Sequence, residues 1–440
     1  MEFSIIPLLM FVALFVFIFL GIPVAFSLIS VSIIFGLTLF GDLVGLQAFR
    51  FVQSVTSNYI LSAIPLFIFM GAMLERSGIA ERLFLAMRLL LGRLPGGLAV
   101  ATIAMAAIFA AGTGIVGAVE ALIGLMAIPP MMKMAYNRGL IAGTICAGGS
   151  LGTMIPPSIV VVVYASVAQI SIGKVFAGVL IPAIVMVALF IGYIILRCVL
   201  QPSAGASISK EEAAIPLGPK IGIIASAMFP ALLLVTVVIG SILAGVASPT
   251  EAAGIGALGT ILLAVAYRTF TFKGFVAALA QTLSVNAMVM FIIIGGSMFT
   301  SIFRANGGQQ LVSSVVEYLQ LSPGGMIFLF LAVIFILGFI LDWVSIVLIS
   351  MPIFLPLLAT ANVDPLWFGV MAIVVIQTSY LTPPMAPSIF YLRAIAPPEM
   401  TYKDMYLGVV PFICCQLLVV LMVAVFPGTA TYLASLIVGF

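Results

Sequence analysis

Apolar residues follow one another in runs long enough to cross a membrane along most of the chain, beginning with FSIIPLLMFVALFVFIFLGIPVAFSL. An α-helix needs about 20 consecutive apolar residues to span the hydrocarbon core of a bilayer. Of the 440 residues, 64% are hydrophobic and only 7% are charged, which is more apolar surface than a soluble domain can bury. A transmembrane β-barrel would instead show short segments of alternating polarity. The sequence therefore predicts an all-α polytopic membrane protein. Its first apolar segment lacks the features of a signal peptide, so we expect it to be retained as a membrane segment.

The chain contains no histidine, which excludes histidine-based catalytic triads, histidine metal ligands and histidine proton relays. Its four cysteines lie in or beside apolar segments without metal-site spacing, so we interpret them as small buried residues. An intramembrane enzyme would then be limited to Ser/Lys or paired-Asp chemistry, and no suitable pair occurs at membrane depth. We therefore predict that the chain is not an enzyme and carries no cofactor. We also predict that it lies in a lipid bilayer and does not bind nucleic acid.

Four landmarks of the first half recur in the same order in the second half. LPGG, MIPPS, a tyrosine and AGVLIPAI are matched by SPGG, LTPPM, a second tyrosine and LGVVPFI, at offsets of 228, 227, 227 and 230 residues. Such a nearly constant spacing indicates an internal repeat. The halves meet in the polar segment QPSAGASISKEEAAIPLGPK. We predict a first repeat over 1–200, a cytoplasmic linker over 201–220 and a second repeat over 221–440.

Basic residues fall on different loops in the two halves. Four arginines lie between residues 76 and 93, whereas the matching segment ANGGQQLVSSVVEYLQLS has no lysine or arginine. A later pair of loops reverses this bias, with only Lys174 in the first half against Arg393 and Lys403 in the second. Because cytoplasmic loops are enriched in lysine and arginine, the repeat is predicted to be inverted, as in many secondary transporters. Both termini are then periplasmic, although Arg50 and Arg304 run against this scheme because it places them outside.

Two long apolar segments are predicted to enter the membrane and return on the same side. The first, at about 96–132, lies between basic residues and has a turning point at AGTG; its counterpart, at about 324–358, has a polar break at Asp342. Each of these predicted re-entrant helical hairpins is followed by a predicted broken helix, at about 143–165 and 370–392. Non-helical backbone is tolerated at this depth only where it is buried in protein or lines a cavity.

Each predicted broken helix carries a pair of adjacent prolines. Proline removes a backbone donor and costs about 3 kcal/mol in a helix interior, so the pairs leave carbonyl oxygens without helical partners. Such oxygens suit a monovalent cation, and a hairpin tip with a broken helix in each half predicts two cation sites beside one substrate site. The residues that we expect to line this region are Pro156, Pro157, Ser158, Pro383 and Pro384.

Two acidic residues lie within the predicted hairpins. An acid at bilayer depth costs several kcal/mol unless it is paired or neutralised, so it indicates a functional site. No histidine exists and no lysine or arginine is expected at the depth of Asp342, so a bound cation is its natural neutraliser. Glu120 has a weaker case as a residue that lines the substrate or cation site.

The chain resembles the large membrane (M) subunit of tripartite ATP-independent periplasmic (TRAP) transporters. The residues that carry this resemblance are SAIPLFIFMGAMLERSG, GTGIVGA, GGSLGTMIPPSIVVVVY and YLTPPMAPSIFY, which extend over most of the chain. The resemblance implies an elevator-type carrier of the bacterial inner membrane, driven by a sodium gradient. It also implies two separate partners, a small membrane subunit (Q type) and a periplasmic substrate-binding protein (P type) that delivers a small organic acid.

The resemblance also assigns two sodium sites and no other metal. The first site comprises Thr113 and Gly114 at a hairpin tip, with the backbone of Gly149, Gly152 and Ile155. The second comprises Asp342, Ser345, Thr378, Ser379 and Thr382. Many members have hydroxyl residues just after the first tip glycine, where this chain has Ile115 and Val116.

These observations predict a sodium-coupled importer of a carboxylate or sialic-acid-like substrate, with about ten spanning helices and two re-entrant hairpins. One alternative is a stand-alone sodium- or proton-coupled carboxylate carrier that needs no binding protein. A channel or an intramembrane enzyme is a more remote alternative. Two inverted hairpin-and-break units fit a carrier better than a channel.

Overall fold

Every regular element of the computed structural model is a helix, within the residues that it describes, 5–113, 116–207 and 217–437. The α-helices up to residue 200 are α1 (Ile6–Phe19), α2 (Val24–Phe40), α3 (Val44–Thr56), α4 (Ala63–Arg76), α5 (Ile79–Leu91), α6 (Gly97–Thr113), α7 (Val116–Lys133), α8 (Arg138–Ser150), α9 (Ile159–Ala168) and α10 (Ile172–Leu200). Those that follow are α11 (Leu217–Leu243), α12 (Pro249–Ala266), α13 (Phe272–Ala305), α14 (Gly308–Tyr318), α15 (Pro323–Leu337), α16 (Trp343–Thr360), α17 (Pro365–Leu381), α18 (Pro387–Ile395), α19 (Tyr402–Val425) and α20 (Gly428–Leu436). Short 3-10 turns occupy Gly41–Leu43, Tyr59–Ser62, Leu151–Thr153 and Pro202–Ala204.

Several helices begin at a polar residue that satisfies the first backbone N–H groups. Ser248 starts α12 with a capping box that it shares with Glu251, and Thr401 and Asp404 form the same arrangement at α19. The Asn137 side chain accepts a hydrogen bond from the backbone of α8. Helix ends have no partners within their own helix, so these caps fix where the apolar sequence is cut into helices.

Eight helical stretches in the described part of the chain are long and apolar enough to cross a membrane. They are Val24–Thr56, Tyr59–Arg76, Ile172–Leu200, Lys220–Leu243, Pro249–Ala266, Phe272–Ala305, Trp343–Thr360 and Tyr402–Val425. Apolar helices that are shorter include α1, α6, α9, α15 and α17. The sequence predicts about ten spans. That number includes the two predicted broken helices, which the structure divides into shorter helices. The multi-pass helical architecture is therefore clear, whereas the number of spans stays a prediction.

Helices differ in how much of their surface is covered by the rest of the protein. Only 22% of the apolar window of Lys220–Leu243 and 28% of that of Phe272–Ala305 is buried, against 61% for Tyr59–Arg76 and for Trp343–Thr360. In α8 every residue from Leu140 to Ser150 is buried. A helix that is apolar all round is either enclosed in a core or exposed to lipid. Long helices with exposed apolar sides thus surround a core of shorter, enclosed ones.

The segments that the sequence predicts as hairpins contain two helices each. Helices α6 and α7 fill the first of these segments, from Gly97 to Lys133, but the residues between them, 114 and 115, lie outside the described part of the chain. Helices α15 and α16 occupy 324–358, and α16 is itself long enough to span a membrane. In the linker, residues 208–216 also lie outside the described part. The start of the linker is held against α6, because the Gly96 backbone N–H donates a hydrogen bond to the carbonyl of Gly205.

Helices α8 and α19 cross with their backbones in direct contact. A Cβ atom added at Gly408 would lie 2.8 Å from the carbonyl carbon of Gly139, and one added at Gly143 would lie 2.8 Å from the carbonyl carbon of Gly408. Small residues allow such close approach of helices in membranes. This crossing joins the first broken helix to a helix of the second half.

We expect Gly408→Val to lower the free energy of unfolding by about 2 kcal/mol, because the new side chain forces α8 and α19 apart. The matched control is Gly192→Val on α10, where an added Cβ meets no atom within 4 Å. Thermal unfolding of both variants in the same detergent measures the difference. Equal losses of stability would contradict a tight crossing at Gly408.

Candidate functional site

The first predicted broken helix is interrupted between Ser150 and Ile159. Helix α8 ends at Ser150, a 3-10 turn follows, and α9 begins only at Ile159. None of the described residues donates a hydrogen bond to the carbonyl oxygen of Gly152 or Ile155, whereas that of Gly149 accepts one from the backbone of Leu151. Two of the three predicted backbone ligands of this break therefore have carbonyl oxygens available for a ligand.

The prolines explain this interruption. Pro156 and Pro157 have no N–H, so the residues one turn earlier lose their usual donors. The Ser158 hydroxyl donates to the carbonyl of Thr153 at 2.5 Å and closes the break on one side. Almost every residue from Leu151 to Ser158 is buried, and Ile155 is partly buried. The first break is thus enclosed by protein.

The second predicted broken helix is interrupted between Leu381 and Pro387. Pro383 and Pro384 lie in this break, and their peptide bond is cis, as is the Pro156–Pro157 bond. Pro384 and Met385 are exposed, unlike the residues of the first break. The two breaks therefore share a sequence pattern but differ in accessibility.

Hydroxyl groups are concentrated just before the second break. Thr378, Ser379 and Thr382 each donate to a carbonyl of the preceding turn, at 2.8, 2.8 and 2.7 Å. A hydroxyl that has donated its proton in this way still has lone pairs on its oxygen. These three side chains can therefore act as neutral oxygen ligands.

Asp342 is the N-cap of α16. Its Oδ2 atom accepts hydrogen bonds from the backbone of Val344 and Ser345 at 3.0 and 3.3 Å, and its Oδ1 atom accepts one from the Ser345 hydroxyl at 2.6 Å. Two predicted ligands of the second site are thus in contact. The sequence analysis missed the capping role, although a DxxS pattern at the start of an apolar run would have indicated it.

The tip of the second predicted hairpin lies against the end of α17. Gly338, which follows α15, has no room for a Cβ atom because the Ser379 side chain occupies that position. A Cβ added there would lie 2.5 Å from that of Ser379. The structure therefore brings the start of this tip, at Gly338, against Ser379 near the end of α17.

The first predicted tip is described only in part. Thr113 is buried at the end of α6, and its hydroxyl donates to the carbonyl of Phe109 at 3.2 Å. A Cβ added at Gly71 on α4 would lie 2.7 Å from the Thr113 carbonyl oxygen. Gly114, the other predicted tip ligand, lies outside the described residues.

Glu120 on α7 is fully buried, at the meeting point of three helices. Its side chain lies directly against Gly149 of α8, and its Oε1 atom accepts a hydrogen bond from the hydroxyl of Ser388 on α18. Its Oε2 atom has no hydrogen-bond partner among the described residues. The structure thus places Glu120 beside a predicted ligand of the first site and in contact with the second broken helix.

A buried polar cluster that the sequence analysis missed joins the two broken helices. The Ser150 hydroxyl accepts hydrogen bonds from Gln377 on α17 at 3.1 Å and from Gln416 on α19 at 3.4 Å, and it donates to the Ala147 carbonyl. All three side chains are fully buried. Ser150 and Gln377 are 227 residues apart, the offset of the repeated landmarks, and that coincidence could have identified the pair.

A polar cleft of about 460 Å³ opens between α3, α9, α13 and α16. Its lining is rich in hydroxyl and amide groups and includes one charged side chain, that of Arg304. The polar lining residues are Ser54, Asn58, Ser166, Gln169, Ser297, Thr300, Ser301 and Arg304. None of the residues predicted for the sites lines this cleft. Arg304 conflicts with the charge-based topology, and the structure places it in the lining of this cleft.

Comparison with known proteins identifies relatives of the whole chain. The family model described as "Tripartite ATP-independent periplasmic transporter, DctM component" matches residues 11–429. The C4-dicarboxylate TRAP transporter large permease protein DctM of Pseudomonas aeruginosa is 31% identical over 343 residues, which are 77% of this chain and 78% of the relative. The sialic acid TRAP transporter large permease protein SiaM of Vibrio cholerae is 28% identical over 96% of this chain and 97% of its own length.

Among solved structures, the YdaH transporter of Alcanivorax borkumensis superimposes with a TM-score of 0.60 at 14% sequence identity. The match covers 90% of this chain and 91% of the other. At this identity the likeness concerns the fold alone. The chain therefore has the architecture of a known membrane transporter.

The Ser150 cluster makes a prediction for stability. Ser150→Ala removes the acceptor shared by two buried amides and should cost about 1–3 kcal/mol of unfolding free energy. In a Gln377→Leu background the same substitution should cost less, by roughly 0.5 kcal/mol or more, since one amide no longer needs the acceptor. A double-mutant cycle from chemical unfolding measures this coupling. Ser32→Ala is the control, because among the described residues the buried Ser32 hydroxyl bonds only within its own helix. Full additivity would contradict the cluster.

Proposed function

The chain belongs to the DctM family of tripartite ATP-independent periplasmic transporters, and from that premise we propose that it is a sodium-coupled importer of a small organic acid. The observation that carries the proposal is at the second break, where Gly338, four residues before Asp342, packs against Ser379 at a helix end rich in hydroxyl groups. The relatives described above are transport permeases, which supports the interpretation that the chain is not an enzyme.

Sodium suits this second site for chemical reasons. Broken membrane helices with free carbonyls and hydroxyls are recurrent binding sites for coupling ions in secondary transporters. Among the described residues, no lysine or arginine nitrogen lies within 4.0 Å of the Asp342 carboxylate, so its charge is balanced only by backbone N–H groups and Ser345. A bound monovalent cation would complete that balance. Ser379 and Thr382 would supply further oxygen ligands.

The positions of the helices support two repeats that exchange roles during transport. Helices α15, α16, α17, α18 and α19 begin 226, 227, 227, 228 and 230 residues after α6, α7, α8, α9 and α10. Helices α5 and α14 both begin after a glycine in the left-handed conformation, Gly78 and Gly307. Inverted repeats allow one bundle to adopt outward-open and inward-open packings. The first break is buried whereas the second exposes Pro384 and Met385, and this difference supports the proposal that the two breaks alternate in accessibility during transport.

The substrate is proposed to be a carboxylate. The two relatives are named for C4-dicarboxylates and for sialic acid. Arginine pairs with carboxylates through two parallel hydrogen bonds, and Arg304 is the charged side chain of the polar cleft. The amides and hydroxyls around it would bind the rest of a hydrophilic molecule. The cleft is thus the proposed entry site for substrate.

The family description supports separate partners. A "tripartite" transporter with a "DctM component" implies further components, which we propose to be a small membrane subunit and a periplasmic substrate-binding protein. The chain would lie in the bacterial inner membrane with both termini in the periplasm. The binding protein would deliver its ligand from the periplasmic side, and the sodium gradient would drive its release into the cell.

Replacement of the tip carboxylate tests sodium coupling. We expect Asp342→Asn to reduce sodium-driven uptake on the order of tenfold or more, since even indirect supports of a bound ion contribute that much. Asparagine is as good an N-cap as aspartate, so unfolding should change by less than about 1 kcal/mol. Uptake into proteoliposomes under an imposed sodium gradient measures the effect.

The matched control for this test is Asp364→Asn, at another N-cap aspartate, whose Oδ1 atom accepts a hydrogen bond from Leu366 at 2.7 Å. It should leave uptake unchanged. Normal sodium-driven uptake by Asp342→Asn would remove Asp342 from the coupling mechanism.

Neutralisation of the cleft arginine tests substrate class. Arg304→Gln should raise the KM for an organic acid by roughly tenfold, because a charged hydrogen bond to the carboxylate is lost. The sodium concentration for half-maximal uptake should not change. Arg50→Gln, at an arginine outside the cleft, is the control. An unchanged KM in Arg304→Gln would show that the cleft arginine does not bind the substrate.

A further inference from the structure

Each predicted hairpin contains a single charged residue, and in both cases it is an acid. Residues 96–132 contain only Glu120, and residues 324–358 contain only Asp342. The proposed function uses Asp342 and gives no role to Glu120. A lone acid in the interior of a membrane protein is costly and therefore indicates a specific interaction.

The surroundings of Glu120 leave half of its carboxylate unsatisfied. The residue is fully buried, and Ser388 is the only donor to it, through Oε1, within the part of the chain that the structure describes. No lysine or arginine nitrogen of the described residues lies within 4.0 Å of it. An uncompensated buried charge is strongly destabilising. The carboxyl group must therefore be neutralised, either by a proton or by a positive partner at the free Oε2 atom.

Two other buried acceptor atoms nearby can be satisfied without an added ligand. The Oε1 atoms of Gln377 and Gln416 also lack donors among the described residues, and both side chains bond to Ser150, next to Gly149. An amide can exchange its oxygen and nitrogen by turning over, so such an atom can find another partner. A carboxylate has two acceptor oxygens whichever way it turns. Glu120 is thus the member of this region whose charge requires a proton or an added ligand.

The neighbours of Glu120 favour a cation as that ligand. Its side chain lies against Gly149. In the break that begins two residues later, the carbonyl oxygens of Gly152 and Ile155 have no hydrogen-bond donor among the described residues. At positions 115 and 116 the sequence has isoleucine and valine, whose side chains offer no oxygen ligand. A carboxylate beside the carbonyl oxygens of this helix end supplies a charged side-chain ligand.

We propose that the Oε2 atom of Glu120 is a direct ligand of a sodium ion at the end of α8, which makes this first site anionic like the one at Asp342. The inference rests on the proposed function, since it assigns a further ligand to one of its two cation sites. Ser388 acts as a positioning residue that fixes Oε1 and directs Oε2 toward the break. Each hairpin then contributes one carboxylate and binds one cation.

The test measures cation binding without transport. The full-length chain in lipid nanodiscs is titrated with sodium chloride against choline chloride at constant ionic strength, and the thermal unfolding midpoint is followed, since a ligand of the folded state raises it. Glu120→Gln keeps the side-chain shape and an acceptor for Ser388 but removes the charge. We expect it to need roughly ten times more sodium, or more, for the same stabilisation.

Ser388→Ala is the matched control, because it removes the hydrogen bond to Glu120 and keeps the carboxylate. Its sodium requirement should rise much less than that of Glu120→Gln. If Glu120→Gln responds to sodium like the unmodified chain, the assignment of Glu120 is overturned while Asp342 and the proposed function stand. If the unmodified chain shows no response to sodium, the proposed sodium coupling fails and this assignment fails with it.

A second measurement uses the unmodified chain and does not depend on the folding of a variant. Dicyclohexylcarbodiimide modifies carboxyl groups in apolar surroundings, and mass spectrometry of the peptide that contains Glu120 reports the extent of reaction. Sodium should protect Glu120 against modification, whereas choline at the same concentration should not. Equal modification in both salts would overturn the assignment.

Discussion

The need to satisfy every backbone hydrogen bond away from water governs the arrangement of this protein. A carbonyl without a partner costs several kcal/mol in hydrocarbon, so a helix can be broken at membrane depth only inside protein or where the break lines a water-filled cavity. The chain meets this condition by enclosing α8 and most of the first break, while α11 and α13 expose their apolar sides. The enclosed break and the exposed outer helices therefore both follow from this one requirement. The glycine crossing of α8 and α19 is what lets the backbones pack closely enough to achieve it.

The fold class and the locations of the breaks follow from the sequence because they depend on local chemistry. Runs of apolar residues predict helices in a membrane, and the repeated proline pairs lie in interruptions: α8 ends six residues before Pro156 and α17 two residues before Pro383. A proline pair alone is not sufficient, because Pro129 and Pro130 lie inside α7. The number of spans does not follow so directly. A 3.6-residue period and apolar composition are shared by spanning helices, enclosed helices and hairpin arms, so α16 fits two descriptions. Only the packing of neighbouring helices distinguishes them.

The candidate site was predictable as a set of residue types but not as a set of contacts. Asp342 draws attention as a charge in an apolar segment, yet its role as the N-cap of α16 depends on where that helix begins. Glu120 is equally visible in the sequence, but its partner Ser388 lies 268 residues away. The cluster around Ser150 consists of uncharged side chains that ordinary membrane helices also contain. Pairings over such distances are set by the crossing of helices, which no local pattern encodes.

The long-range contacts also bear on how two cation sites could act together. Glu120 bonds to Ser388, and Ser150 bonds to Gln377, so α7 and α8 of the first half are attached to α18 and α17 of the second half. A cation that bound at the end of α8 would pull on α18 through Glu120, and one at Asp342 would order the end of α17 beside Gln377. Both sites would then stabilise the same arrangement of α8, α17 and α18. Binding energy from either ion would be available to the whole core, and the core could move as a single body only when both charges are compensated.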